Sequence, residues 1–342
     1  MIGFEAMERD VAQRLVDAGD MPNLARLQRE GVTASMTNPI GMLTTPVWPT
    51  IVTGVHPDRN GYVSYRVLRR GTYRHEFLGV HPQLTPPPFW RRLADQGLSC
   101  LVLDVPTVAL DEHPRITHVS DWLTHERTSA LSSAPPHIAR ALQDRFGPAE
   151  VDRCDERKRR GELEELRTRV FADIESFETA LPWLVQQSDF DVVIAATGSA
   201  HCAGHQFWHV HDERSVHFDR AARNTLGDVV SDVYRALDVA LGRALELATP
   251  DTAVAVVLSH GMGDNTMSPH LIDPVARAID DAMGRASAWH RTREFLRRAP
   301  NRAARRLTAR FRRAPFEATY LADGSRRFLP VENFPCFGAL RL

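Results

Sequence analysis

The chain has 342 residues, of which 43% are hydrophobic and 25% are charged, and its formal net charge is -1. These proportions are ordinary for a globular protein and exclude a disordered chain or one that binds nucleic acid over its whole surface. Its four cysteines form no CxxC pair, which argues against a disulfide framework and a thiolate zinc site. No apolar run approaches the roughly 20 residues of a membrane helix and no secretory signal is recognisable, so we expect a cytoplasmic protein.

Apolar runs and amphipathic segments alternate along the chain. Runs rich in valine, isoleucine and leucine predict buried parallel strands at Ser99–Val105, Asp191–Ala196 and Thr252–Leu258. Apolar residues at helical spacing predict helices at Val11–Glu30, Phe89–Gln96, Gly161–Gln187 and Val216–Ala248. The alternation is typical of an α/β fold with a doubly wound, mostly parallel sheet and helices on both faces.

The distribution of strand signals and charges suggests three parts. We predict a catalytic α/β core at 1–106 and 189–285, a cap insertion at 107–188, and a basic helical insertion with the C-terminal segment at 286–342. The segment Arg291–Arg313 carries ten arginines interleaved with apolar residues. Such a helix can contact nucleic acid or an anionic membrane, but a solvated insertion that attracts an anionic substrate is favoured because the whole chain is neutral.

Four histidines lie within eleven residues directly after the strand predicted at Asp191–Ala196. His201 and His205 are four residues apart, so on a helix they share one face and can chelate a single cation. His209 continues that face, whereas His211 is expected to support the ligands or to be exposed. A cluster of this density after a buried strand predicts a metal site.

A second strand delivers another histidine. His260 follows the strand predicted at Thr252–Leu258, and the carboxyl ends of parallel strands meet at one edge of a sheet. Asp264 or His270 is a candidate for a further ligand after the turn, although either residue is equally plausible as a loop cap.

Thr44 is the candidate nucleophile. It stands two residues before Pro46 in a stretch that continues to Thr53-Gly54 and Asn60-Gly61. A hydroxyl nucleophile needs a fixed position and a charge that stabilises its alkoxide, and a helix N-terminus beside a metal supplies both. Local sequence alone leaves open the alternative that Thr44 merely caps a helix.

These stretches resemble the type I phosphodiesterase/nucleotide pyrophosphatase family of the alkaline phosphatase superfamily. The resemblance rests on the Thr44 motif, on the upstream stretches Met21–Leu27 and Glu30–Val32, and on Ser259–Met262, which is similar to the family's Ser-Asp-His-Gly-Met signature. It implies an alkaline phosphatase-like fold with a partly helical cap. It also implies Thr44 as nucleophile and a covalent phospho-enzyme intermediate.

The resemblance further implies up to two divalent metal ions, which we expect to be zinc, with manganese as the alternative. One would lie near Glu5, Thr44 and His260, with His270 as a further candidate ligand, and the second near His201 and His205. An imidazole-rich site suits a transition metal better than magnesium or calcium.

The sequence departs from the family pattern at several places. His201 stands where relatives have an aspartate, Ser259 replaces the aspartate before His260, and Glu5 is one methylene longer than the usual aspartate. Only two or three residues of the first strand precede Glu5, so we expect this side chain to be poorly anchored. Relatives also continue beyond the position of Leu342, and we therefore expect the natural chain to extend further at both ends.

The function predicted from these features is metal-dependent hydrolysis of a small anionic phosphoester or phosphodiester. A sulfatase-like reaction is disfavoured because no arginine stands two residues after Pro46. A different alternative is a catalytically silent relative that keeps the fold as a binding protein, which Ser259 and the short chain ends suggest.

Overall fold

The computed structural model describes residues 1–39, 42, 44–68, 75–77, 79, 81–123, 130–148, 160–264, 275, 278–279, 282, 329–331 and 339–341. The chain divides into two compact units, one formed by Met1–Tyr65 and Gly79–Asp264 and the other by Arg66–Leu78 and Asn265–Leu342. His270 and the basic segment Arg291–Arg313 lie outside the described residues.

A mostly parallel sheet forms the centre of the first unit. Its described strands are β1 (Ile2–Phe4), β4 (Cys100–Leu103), β5 (Ile116–Ser120), β6 (Ser132–Ala134), β7 (Val192–Thr197) and β8 (Val256–Leu258). They are arranged in the order β6-β5-β4-β7-β1-β8, and within this described sheet the β5–β6 pair is antiparallel whereas the other neighbours are parallel. The predicted α/β fold class is confirmed.

Helices cover both faces of this sheet. They are α1 (Arg9–Asp17), α2 (Pro22–Glu30), α3 (Val47–Thr53), α4 (Pro57–Asn60), α5 (Phe89–Asp95), α6 (His137–Phe146), α7 (Leu163–Val185), α8 (Ser199–His211), α9 (Arg220–Leu226) and α10 (Val229–Leu245). Alternate strand residues point to opposite faces. Leu101 and Leu103 therefore join the larger core, which includes residues of α1, α7, α8 and α10, whereas Val102 joins the core beneath α3 and α5.

The predicted strands and helices are found, and two of the helices are divided. The segment Val11–Glu30 forms α1 and α2, because Gly19 adopts a left-handed conformation with φ of 83° and Pro22 begins the second helix. The segment Val216–Ala248 forms α9 and α10, which are separated near Gly227 and begin at the capping residues Asp219 and Asp228.

The described part of the stretch 107–188, which we predicted to be a cap, packs with the main sheet and its helices. It supplies β5 and β6 to the main sheet, and its helix α7 packs against α8 and α10. Val170 and Phe177 of α7 are buried in the larger core. The described part of this stretch is therefore continuous with the core, because burial of the apolar face of α7 requires those neighbouring helices.

β1 is short but firmly held, so the expectation of a poorly anchored Glu5 is wrong. The strand is hydrogen-bonded in parallel to β7 on one side and to β8 on the other. Phe4 is fully buried, and the backbone N–H of Glu5 donates to the carbonyl of Thr197 at 3.1 Å. Pairing on both sides compensates for the small number of residues in the strand.

In the second unit, β2 (Arg66–Leu68) pairs antiparallel with β3 (His75–Phe77), and β9 (Leu329–Val331) pairs antiparallel with β10 (Ala339–Arg341). Among the helices described in either unit, none is both long and apolar enough to cross a membrane.

The contact between Gly3 and Trp48 gives a first prediction. A Cβ atom at Gly3 would overlap the indole ring of Trp48, which is itself buried beneath the sheet. We expect Gly3→Ala to lower the free energy of unfolding by about 1–3 kcal/mol, measured by urea denaturation, because the core must shift to admit the methyl group. Gly161→Ala is the control, since an added Cβ there meets nothing within 4 Å. Equal destabilisation by both substitutions would contradict this prediction.

A buried histidine on β5 gives a second prediction. His118 is fully buried, its Nδ1 accepts a hydrogen bond from the backbone N–H of Asp111 at 3.0 Å, and burial lowers its pKa to about 4. In the unfolded chain a histidine has a pKa of about 6.5, so below that pH the unfolded His118 is protonated whereas the folded, buried ring stays neutral. This contribution to stability is therefore complete above about pH 6.5 and is lost as the pH falls towards 4.

We accordingly expect the free energy of unfolding to fall by roughly 3 kcal/mol between pH 6.5 and pH 4 through this residue alone. His118→Gln should make the pH dependence of the urea midpoint shallower in that interval. His137→Gln is the matched control, because His137 is exposed at the start of α6. If the two variants showed the same slope as the wild type, His118 would not be the titrating group.

Candidate active site

The register of the sheet brings three chain segments to one edge. Phe4 of β1 pairs with Thr197 of β7 on one side and with Leu258 of β8 on the other. Because the three strands are parallel and end at the same level, the residues that follow them emerge side by side. This edge is the position at which open α/β sheets bind ligands.

The first of these segments is α8, which begins at Ser199 directly after β7. His201 and His205 lie one turn apart on this helix, as predicted, and their ring centroids are 4.5 Å apart. His201 is buried, whereas His205 is exposed. The pair therefore extends from the protein interior to the surface at the sheet edge.

The turn after β8 adds a third imidazole. The ring centroid of His260 lies 5.9 Å from that of His201, with the two planes nearly perpendicular. The Nδ1 atom of His260 lies 3.1 Å from the hydroxyl oxygen of Ser259, and both residues are buried. The hydroxyl of Ser259 therefore has a position from which it can orient the His260 ring.

The spacing of the rings is compatible with imidazole coordination. With a zinc–nitrogen distance of about 2.0 Å and tetrahedral angles, two imidazoles on one ion have centroids roughly 5 Å apart. The separations of 4.5 Å and 5.9 Å lie on either side of this value. Within the described ranges, however, no group of three or more histidine, cysteine, aspartate or glutamate side chains has an arrangement that could hold a metal ion. The described site is thus a histidine pair with a third ring beside it.

Glu5 follows β1 and lies between the two histidine-bearing segments in strand order. Glu5 is buried, with only 4% of its surface exposed to solvent. The next residue, Ala6, adopts a positive φ of 55°, which turns the chain sharply after the strand. Glu5 therefore lies at the end of β1, the strand that pairs with both β7 and β8, after which the histidines follow.

Thr44 lies in the loop that leads into α3. Its side chain is exposed, whereas that of the neighbouring Thr45 is buried. Pro46 is the capping residue of α3, no side chain caps the helix, and Thr44 contributes only its carbonyl, which accepts a bond from the N–H of Val47. The alternative that the Thr44 side chain caps this helix is therefore wrong.

The remainder of the Thr44 motif stabilises the last turn of α3 and the loop that follows it. The hydroxyl of Thr53 donates to the carbonyl of Pro49 at 2.6 Å, and the side-chain amide of Asn60 donates to the carbonyl of Val55 at 3.2 Å. Gly54 and Gly61 both have positive φ angles, of 70° and 80°. Glycine adopts this conformation without a steric penalty, which explains why both turns carry it.

Two other candidates have partners away from the histidine rings. The Nδ1 atom of His211 lies 2.7 Å from Asp228, whose pKa is lowered, against the opposing effect of burial, by hydrogen bonds from His211 and Ser231. His211 is thus half-buried and paired with a carboxylate. Asp264 accepts a hydrogen bond from the hydroxyl of Ser215 at 2.7 Å.

Strained backbone accumulates at the same edge of the sheet. Among the described residues, the non-glycine positions with positive φ are Ala6, Asp104, Thr107 and Asp121, all of which follow β1, β4 or β5. Such conformations are unfavourable for residues with a Cβ atom and tend to cluster at functional sites. Asp104 is held in place because its carboxylate accepts bonds from the backbone N–H groups of Trp122 and Leu123.

Glu8 is a participant that the sequence did not reveal. Its carboxylate accepts a hydrogen bond from the N–H of Met262 at 3.0 Å, and Met262 belongs to the turn that carries His260. No motif or periodicity links the two residues, which are 254 positions apart. Only the pairing of β1 with β8 brings them together.

Comparisons with known proteins agree with this architecture. The structure of phosphonoacetate hydrolase from Sinorhizobium meliloti 1021 in complex with phosphonoformate is similar, with a TM-score of 0.50 and 17% identity over 76% of this chain and 55% of that chain. The same enzyme in complex with phosphonoacetate aligns with a TM-score of 0.46 and 17% identity over the same shares. The chain thus spans about half the length of these structures. No curated protein matches the sequence.

The sequence itself matches the model of the family described as type I phosphodiesterase / nucleotide pyrophosphatase over residues 1–324. This match covers nearly the whole chain, including both histidine-bearing segments and the Thr44 loop. The chain therefore belongs to the type I phosphodiesterase/nucleotide pyrophosphatase family.

Proposed function

We propose that this protein is a metal-dependent hydrolase of small anionic phosphoesters or phosphodiesters. The observation that carries the proposal is the convergence of His201, His205 and His260 at the carboxyl edge of the sheet. The family match over residues 1–324 supports the same reaction class. Imidazole nitrogens, which both segments supply, are donors suited to a transition metal.

The residues that would hold metal are Glu5, Thr44 and His260 for one ion, with His270 as a further proposed ligand, and His201 and His205 for a second ion. The imidazole-rich donor set favours zinc, with manganese as the alternative. A divalent ion supplies Lewis acidity that lowers the pKa of a bound hydroxyl and neutralises charge on a phosphoryl group. Ser259 supports this role by fixing the orientation of the His260 ring through the 3.1 Å contact.

Thr44 is the proposed nucleophile. Its oxygen attacks phosphorus, the bond from phosphorus to the leaving alcohol breaks, and the hydroxyl proton is lost to solvent or to the departing oxygen. Water then attacks the phosphorus of the phospho-threonine and regenerates the Thr44 hydroxyl while phosphate or a phosphomonoester leaves. The exposed side chain of Thr44 beside the buried Thr45 supports this choice between the two adjacent threonines.

The substrate class is proposed from the chemistry of the site. Buried imidazoles at a sheet edge, together with a metal, attract a compact anion. The similar phosphonoacetate hydrolase structure contains phosphonoformate, a small anion with phosphonate and carboxylate groups. Aryl phosphomonoesters, bis-aryl phosphodiesters and phosphonoacetate are therefore the three substrates to compare.

The Thr44 assignment predicts a specific loss of turnover. Thr44→Ala should lower kcat on the best aryl ester by more than about 10³-fold, with unchanged folding and metal content, because the attacking oxygen is removed. Thr44→Ser should retain measurable turnover, and Thr45→Ala should have a milder effect than Thr44→Ala. Acid quenching followed by mass spectrometry should find phosphate on the peptide that contains Thr44. Near-wild-type turnover by Thr44→Ala would show that the assignment is wrong.

The histidine assignment predicts a stoichiometric loss of metal. Purified protein reconstituted with zinc or manganese should bind metal, and His205→Ala should lose at least one equivalent by elemental analysis because one imidazole of the pair is removed. His137→Ala is the control, since His137 is exposed on α6. A wild-type protein that bound neither metal would instead favour a silent relative that uses the fold for binding.

A further inference from the structure

The turn that carries His260 is held by a carboxylate from another part of the chain. The backbone N–H of Met262 donates to Oε2 of Glu8 at 3.0 Å. Gly261, which lies between His260 and Met262, approaches Glu8 so closely that a Cβ atom at this position would overlap the same carboxylate oxygen. The Glu8 side chain therefore lies directly against the backbone of the turn.

Glu8 is itself fixed at two further points. Its backbone N–H donates to the hydroxyl of Tyr234 at 2.7 Å, and Tyr234 is fully buried on α10. Its Oε1 atom accepts a bond from the N–H of Asp10 at 3.3 Å and so caps α1. The carboxylate thus has little freedom to move away from the turn.

The side chain of Met262 connects the turn to α8. A Cβ atom at Gly204 would lie 2.6 Å from Cγ and 2.9 Å from Cε of Met262, so the methionine rests directly on the helix backbone. Gly204 lies between His201 and His205 in the sequence of this helix. Met262 is therefore held by Glu8 through its N–H and contacts the histidine-bearing helix through its side chain.

We propose that Glu8 is a positioning residue, which sets the separation of His260 from the histidine pair on α8 by fixing the backbone at Met262. This inference rests on the proposed function, because its consequence is the geometry of a metal site. Coordination tolerates only small errors in ligand position, and loss of a residue that orients a ligand typically weakens metal affinity by 10- to 100-fold. The measured separation of 5.9 Å between the His201 and His260 rings is the quantity that Glu8 would control.

The capping and positioning roles of Glu8 can be separated by changing the length of the side chain. Aspartate is a good helix cap, so Glu8→Asp keeps the cap of α1 but withdraws the carboxylate from Met262 by one methylene. Glu8→Gln keeps the length but offers a single acceptor oxygen to the two N–H groups of Asp10 and Met262, so it should fall between Glu8→Asp and the wild type. Tyr234→Phe is the control for stability, because it removes the other hydrogen bond of Glu8 but leaves its carboxylate in place.

The first measurement does not depend on metal. Amide hydrogen exchange at Met262 should accelerate about tenfold in Glu8→Asp, since the hydrogen bond that protects the N–H is lost. The imidazole NMR signals of His260 should shift in the same variant. Tyr234→Phe should resemble the wild type in both measurements, and Glu8→Gln should be intermediate. Unchanged exchange and unchanged His260 signals in Glu8→Asp would overturn the proposal.

The second measurement is the zinc dissociation constant, obtained by competition with a chromophoric chelator. Glu8→Asp should bind zinc about 10- to 100-fold more weakly than the wild type, whereas Tyr234→Phe should remain within about twofold. Zinc binding by the wild type and equal affinity in Glu8→Asp would overturn the positioning role. A wild type that binds neither zinc nor manganese would contradict the proposed function instead, and the His260 signals would then decide the positioning role.

Discussion

The hydrogen-bonded pairing of β1 between β7 and β8 is the constraint on which the candidate site depends. Each residue of this three-residue strand is in register with one residue on either side. The pairing aligns the carboxyl ends of three strands, so that α8, Glu5 and the His260 turn begin at the same level. The absence of a side chain at Gly3 allows Trp48 to pack against the strand, which also sets the position of α3 beneath the sheet. The Thr44 loop leads directly into that helix.

The departures that the family resemblance implies would have a common chemical consequence. An imidazole at His201 and a hydroxyl at Ser259, in place of two carboxylates, would make the proposed site less negative. The proposed donor set is rich in imidazole nitrogen, which suits zinc better than magnesium or calcium because the latter ions prefer oxygen ligands. The hydroxyl oxygen of Ser259 lies 3.1 Å from Nδ1 of His260, a position from which it can orient that ring.

Local periodicity was sufficient to predict most of the described core. The apolar runs predicted β4, β7 and β8, and helical spacing predicted α5, α7 and the region of α10, because both signals depend on residues close together in the chain. The breaks at Gly19 and near Gly227 were missed, since an apolar stripe continues across them. The short strands β5 and β6 were not predicted, because they carry weak apolar signals and are recognisable only by their pairing with β4 and with each other.

At the candidate site, the sequence by itself determined the residue types and their local spacing. His201 and His205 share a helix face because four residues make about one turn, and no tertiary contact is needed for that inference. Tertiary structure alone decided that His260 lies beside them and that Glu8 holds Met262 across 254 positions of sequence. The physical reason is that strand order and register are set by burial and hydrogen bonding between distant segments, which leave no periodic signal in the sequence of either segment.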